Sequence, residues 1–172
     1  MRVIGIDPGT ATTGYGLVQD DEAGNLVVVT YGVIVTPAGA SLPERLLQLY
    51  HQLTELLLLH RPDTGAVEKL FFQRNVRTAL SVGHARGVAL LALAGAGIPV
   101  GEYTPLEVKQ AVAGYGAADK SQVQQMVRAL LALPSIPRPD DAADALAVAI
   151  CHIHSANLRQ LYASSHADHH LA

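Results

Sequence analysis

Four acidic residues stand out by where they fall. Asp7 ends the apolar run Val3-Ile4-Gly5-Ile6, and Pro8-Gly9 turns the chain at once. Glu68 ends a second run, Gly65-Ala66-Val67. Asp141 and Asp144 are three apart, so on a helix they share a face, with about 5–6 Å between their Cβ atoms. That face continues through Val148 and Cys151, so the two acids begin a stripe that points inward. A carboxylate at the end of a buried element is costly unless it is paired or holds a cation. No Cys or His stands at a comparable point, and an all-oxygen set suits Mg²⁺ or Mn²⁺ rather than zinc. Four crowded carboxylates repel unless cations neutralise them. Two such ions ~3.5–4 Å apart are suited to phosphodiester hydrolysis. Each acid also has a plainer reading. Asp7 can cap its own turn, Glu68 can be solvated, and acids in a first helical turn are favoured by the helix dipole.

One cation belongs with this set. Asp119 reads as a helix N-cap, with Gln122 three residues on, which puts Lys120 in the first turn. A lysine there opposes the helix dipole. It is either a solvated surface residue or, with the free N–H groups of that turn, a phosphate holder.

The elements that must position these residues read as follows. Val3 to Asp7, Gly14 to Gln19 and Leu26 to Val35 are apolar or β-branched runs joined by short turns, an antiparallel meander. Ser41-Leu42-Pro43-Glu44 opens a helix with a capping box, and Leu46, Leu49, Leu53, Leu56 and Leu57 recur at helical spacing until Pro62. Thr64 to Phe72 reads as a strand that can lie parallel to the first, because a helix separates them. Asp7 and Glu68 then emerge at the same sheet edge. Asn75 to Ala96 reads as a helix rich in small residues; Gly83 and Gly87 in it imply close approach of another backbone, within the fold or across a dimer. Ile98 to Tyr103 is a short strand. Pro105 starts a helix that carries Lys109 and ends near Gly114. The last helix runs from Asp140, read as its N-cap, to about Asn157. The expected fold class is α/β: a five-stranded mixed sheet, three strands antiparallel and the rest parallel, with helices on both faces. Residues 1–158 form one domain, and 159–172, with His166, His169 and His170, read as a flexible tail.

Composition narrows the class. The chain has 172 residues with 49% hydrophobic, enough for one domain with a proper core. The net charge of -3 counts mildly against nucleic-acid binding except through a local patch. The single cysteine, Cys151, excludes an internal disulfide and reads as a buried helix residue, which fits a cytoplasmic setting. No apolar stretch approaches the ~20 residues of a membrane span, and neither a membrane partner nor a secretory leader is expected.

In order and spacing, these residues resemble the RuvC family of bacterial Holliday junction endonucleases, which has a ribonuclease H-like fold. The match runs from Val3 to about His154. It comprises Gly5-Ile6-Asp7-Pro8-Gly9, Glu68 with Phe71 three residues on, Gln73-Arg74-Asn75 and His84-Ala85-Arg86-Gly87. It continues with Val108-Lys109-Gln110, Lys120-Ser121-Gln122-Val123 and Asp140 to Ala147. The resemblance implies Asp7, Glu68, Asp141 and Asp144 as catalytic, metal-holding acids, with Mg²⁺ or Mn²⁺, two ions per site. It implies Lys109 and Lys120 as phosphate contacts, and Phe71 as an aromatic that stacks on an unpaired base at the junction. Phe72 departs from the family pattern and shares that region. Arg74, Asn75 and Arg77 fall where the family touches the DNA backbone. The implied activity is paired symmetric nicking of four-way junctions by a homodimer, leaving 5′-phosphate and 3′-hydroxyl ends, in partnership with the RuvA–RuvB branch-migration machine. Two rivals remain open. Gly5-Ile6-Asp7-Pro8-Gly9-Thr10 also resembles the first phosphate turn of actin-like and sugar-kinase ATPases, which need two such lobes. A non-catalytic junction-binding protein on the same fold is the other.

Overall fold

Strand β1 (Arg2–Asp7) lies at the centre of a five-stranded sheet in the computed structural model, which describes residues 1–69 and 76–168. β2 (Thr12–Asp20) and β3 (Leu26–Val35) continue from it as an antiparallel meander on one side. On the other side β4 (Thr64–Glu68) and β5 (Val100–Tyr103) run parallel to it, giving the order β3-β2-β1-β4-β5. The crossovers are α1 (Leu42–His60) and α2 (Val76–Gly95). α3 (Pro105–Ala113), α4 (Lys120–Leu130) and α5 (Asp140–Asp168) follow β5.

The alternation of strand residues sorts the two faces. In β1, Ile4 and Ile6 join Leu49, Leu53 and Leu57 of α1 and Ala89 and Leu93 of α2 in one core cluster. Val3 belongs to the other cluster, with Val108 and Val112 of α3, Val123 and Val127 of α4, and Leu146 and Ile150 of α5. β4 repeats the pattern: Val67 packs with the α1–α2 side and Ala66 with the α5 side. By period two, Asp7 and Glu68 therefore both face α5. The β1–β4 ladder ends at Ile6↔Val67, so these two acids are the next residues on neighbouring strands.

Close contact with α5 depends on what the strands lack. A Cβ on Gly5 would overlap the Ala145 carbonyl oxygen, and one on Gly14 would overlap that of Asp141. Two glycines and the small buried residues Ala142, Ala145 and Ala149 thus let the helix backbone rest directly on β1 and β2.

Several boundaries differ from the sequence reading. β4 ends at Glu68 rather than Phe72: the Lys69 N–H to Tyr103 carbonyl bond, at 2.7 Å, is the last rung of the β4–β5 ladder, because β5 stops at Tyr103, where Thr104 caps α3. β5 starts at Val100 rather than Ile98. α5 continues past Asn157 to Asp168, so residues 159–168 are helical in the structure; His169 and His170 lie outside the described residues. The caps of α1 and α4 form as read. The Glu44 carboxylate accepts from the Ser41 N–H, and Asp119 accepts from the Gln122 N–H at 2.8 Å. Within the chain, a side chain on Gly87 would meet nothing, so its close partner is not another part of this fold among the described residues. Cys151 is buried and its thiol is pushed up to about 11, chiefly by burial. Among the described residues no helix is long and apolar enough to cross a membrane.

Candidate active site

Asp7 is carried to the sheet edge by β1, Glu68 by β4, and Asp141 and Asp144 by the first turns of α5. The turn after Asp7 closes without it: Gly9 N–H donates to Thr13 Oγ1, which itself donates to the Gly9 carbonyl at 2.7 Å. The Asp7 carboxylate is therefore left facing the other acids rather than capping. Its pKa is raised from 3.8 to about 7, first by burial and then by the charges of Glu68, Asp144 and Asp141, with Lys120 working the other way. Burial and Asp144 raise Glu68 likewise. Burial also raises Asp144, partly offset by Lys120. The four acids thus share one electrostatic neighbourhood that is short of positive charge. Among the described residues, no three His, Cys, Asp or Glu side chains close on a common point as they stand.

The Lys120 ammonium sits at the mouth of this cluster. It donates to Asp144 Oδ2 at 2.9 Å and lies 3.3 Å from Asp140 Oδ2. Partial burial lowers its pKa, but the bonds and charges of Asp144 and Asp140 outweigh that and hold it above its ordinary value. One expectation changes here. Asp140 does not serve as a plain N-cap: its carboxylate takes Lys120 and, at 2.5 Å, Arg138 Nη1. At the start of α4, Asp119 takes the Gln122 N–H, as its reading as the N-cap requires. A cleft of about 190 Å³ opens beside the acids, lined by Lys109, Lys120, Glu68 and Asp144 together with Val108 and Val148. A larger groove of about 750 Å³, between α1 and β2–β3, brings in none of the four acids.

Residues 3–152 match the family model described as crossover junction endodeoxyribonuclease RuvC. That span covers most of the chain and holds all four acids. The chain belongs to the RuvC family. Crossover junction endodeoxyribonuclease RuvC of Chloroflexus aurantiacus is 62% identical over 165 residues, 96% of this chain and all of the relative. That of Syntrophomonas wolfei is 59% identical over 165 residues, 96% of this chain and 95% of the relative. The solved structure of T. thermophilus RuvC in complex with Holliday junction substrate superposes with a TM-score of 0.84 at 38% identity, covering 92% of this chain and 96% of that one. The yeast mitochondrial resolvase Ydc2, at 16% identity and a TM-score of 0.64, shares the fold. The five-stranded mixed sheet is accordingly the ribonuclease H-like arrangement expected.

Of the RuvC-type residues read from the sequence, the structure brings Asp7, Glu68, Asp141, Asp144 and Lys120 into one neighbourhood and places Lys109 at the same cleft. Phe71, Phe72, Arg74 and Asn75 lie outside the described residues, as does the Arg77 side chain. The sequence reading missed Arg138 and the pairing role of Asp140. The doubled acid Asp140-Asp141 was the available signal: two carboxylates cannot both be the cap.

Proposed function

We propose that this chain is a structure-selective endonuclease that nicks four-way DNA junctions in symmetric pairs, leaving ligatable 5′-phosphate and 3′-hydroxyl ends, in recombination and repair. The observation that carries the proposal is the set of four carboxylates gathered between the ends of β1 and β4 and the first turns of α5, on a chain that superposes along most of its length on T. thermophilus RuvC in complex with Holliday junction substrate.

The donor set fits a hard divalent cation. It is all oxygen, and burial together with the neighbouring acids pushes Asp7 up to about 7, which marks a place where added positive charge is stabilised. Asp7, Glu68, Asp141 and Asp144 would hold Mg²⁺ or Mn²⁺, two ions in number. When bound, such ions supply activation of the attacking water and stabilise the leaving 3′ oxygen. The chain's own part is positioning and charge. β1, β4 and α5 fix the acids on rigid elements. Lys120 and Lys109 attract the phosphate to the cleft, and Lys120 offsets charge that develops on it. Phe71, with Phe72 beside it, stacks on an unpaired base, and Arg74, Asn75 and Arg77 meet the DNA backbone.

A homodimer supplies the paired cuts. α2 supports it: Leu80, His84, Gly87 and Leu91, at helical spacing, all face outward, with Leu80 62% and Leu91 61% exposed. A RuvA–RuvB-type branch-migration complex is the proposed partner, and the cytoplasm the proposed location. Since the proposed junction contacts include Lys109, Lys120, Arg74 and Arg77, binding should weaken as salt rises, in proportion to the phosphates they neutralise.

The test is a synthetic four-way junction, end-labelled on each strand, with Mn²⁺, Mg²⁺ or EDTA, beside a linear duplex of the same sequence. Paired, ligatable, metal-dependent nicks in the junction alone support the proposal. Cuts in any duplex remove the junction selectivity. Binding without cutting in either metal makes this a non-catalytic binder.

A further inference from the structure

We infer that Arg86 is a positioning residue for Glu68: it grips the end of β4 from the face opposite the acids. The inference rests on the proposed role of Glu68 in holding a divalent cation. Arg86 belongs to the His84-Ala85-Arg86-Gly87 stretch of α2, whose His84 and Gly87 face outward while Arg86 itself has no part in the mechanism above.

Alternation sets up the geometry. Glu68 points its carboxylate toward α5, so its backbone is open to α2 from behind. Arg86 Nε donates to the Glu68 carbonyl oxygen at 3.2 Å. The same guanidinium pairs through Nη2 with the carboxylate of Glu102 on the neighbouring strand β5. Glu102 faces α2 because its neighbours in β5, Gly101 and Tyr103, face His152 of α5. One planar fork thus ties the end of β4 to β5 and to α2.

The grip falls on a single peptide group. The Glu68 carbonyl takes Arg86, and the N–H on the other side of that peptide, from Lys69, donates to the Tyr103 carbonyl. The Glu68–Lys69 peptide is therefore held from both ends, and these are the last ties before β4 ends. Such a tie has work to do there, because Glu68 and Asp144 repel each other. A lysine cannot replace Arg86, since a single ammonium lacks the rigid fork that meets a carbonyl and a carboxylate together.

The experiment uses the full-length protein with Arg86→Met, Arg86→Lys and Glu102→Gln. The Mn²⁺ concentration for half-maximal junction cleavage is measured, together with the rise in Tm that Mn²⁺ produces and with junction binding in EDTA. Arg86→Met should raise the half-maximal Mn²⁺ about tenfold, in the range seen when groups that orient metal ligands are removed. It should shrink the Mn²⁺-induced rise in Tm and leave binding in EDTA within about twofold of the original. Arg86→Lys should match it. Glu102→Gln, which keeps the bond to the Glu68 carbonyl, should shift the Mn²⁺ requirement in the same direction by about two- to threefold. It carries the test if Arg86→Met does not fold. An unchanged Mn²⁺ dependence overturns the inference. So does a parallel fall of Tm in EDTA, junction binding and cleavage, which would make Arg86 merely structural. If the unaltered protein cuts nothing in Mn²⁺, the nuclease reading fails instead, and the Mn²⁺-induced change in Tm decides the role of Arg86 on its own.

Discussion

Asp144 and His152 lie on the same helix, about two turns apart, in polar clusters of opposite construction. Around His152 every bond is closed. Thr64 Oγ1 donates to the Pro99 carbonyl at 2.9 Å, so its oxygen accepts from His152 Nε2–H at 3.1 Å. Nδ1 is then left to accept from the Tyr103 hydroxyl at 3.0 Å. The imidazole is neutral, and burial lowers its pKa, with the charge of Arg159 adding to this. Around Asp144 the groups are charges of one sign, with the Lys120 ammonium at the rim. A satisfied polar cluster holds α5 to β4 and β5. An unsatisfied one stores a demand for positive charge, which is what a cation site needs.

The largest effect should come from the unsatisfied cluster. Asp7→Asn is expected to lower metal-dependent junction cleavage by more than about 100-fold, beyond what loss of an orienting neighbour does. Junction binding in EDTA should stay within about twofold. Strand-labelled cleavage and gel-shift assays check this, and an Asp7→Asn protein that still cuts in Mg²⁺ would end the assignment. Next in size is the support common to both clusters. Gly5→Ala drives a Cβ into the Ala145 carbonyl and should destabilise the protein by about 3 kcal/mol. Urea unfolding would show it.

His152→Ala should reduce stability by about 2–3 kcal/mol, since it strands the Tyr103 hydroxyl and leaves a cavity. Cleavage at saturating Mn²⁺, measured below the melting transition, should stay within about threefold. If it falls as far as in Asp7→Asn, the two clusters are not separate in function. The smallest effect is in pH dependence. In EDTA, the folded state holds the Asp7 proton up to about pH 7 and the unfolded chain releases it near 3.8. The folded state thus binds more protons between those values, and stability falls as pH rises through them, by about 1–2 kcal/mol once screening is allowed for. His152 has the opposite sign: its contribution is complete above its ordinary value of 6.5 and is lost as pH falls below it. Unfolding free energies at pH 5 and pH 8 should therefore decline with pH in EDTA, and Asp7→Asn should shrink the decline, since Glu68 and Asp144, raised by burial, contribute with the same sign. A slope undiminished in Asp7→Asn would mean that another acid carries the proton.

Much of this was readable locally. An apolar run ending in Asp7 and another ending in Glu68 needed only the two-residue repeat of strands to share a face. Asp141 and Asp144 needed only the helical repeat. The errors came where a local pattern had more than one outlet. Apolar residues continue from Leu70 to Phe72, which lengthened β4 on paper, while in the fold its partner β5 stops at Tyr103 and the Lys69 N–H makes the last rung. Asp140 after Pro139 has the form of a cap, yet α4 brings a lysine to it.

The sequence by itself determined the acids, the helix caps and the alternation that aims Asp7 and Glu68 at one helix, because each depends on neighbours a few residues away. The tertiary structure alone decided three pairings: Lys120 with Asp144, 24 residues apart; Arg86 with the Glu68 carbonyl, 18 apart; and His152 with Thr64, 88 apart. Those pairs depend on how α2, α4 and α5 cross the sheet. The crossings follow from which glycines and alanines let two backbones touch, and no local repeat records that.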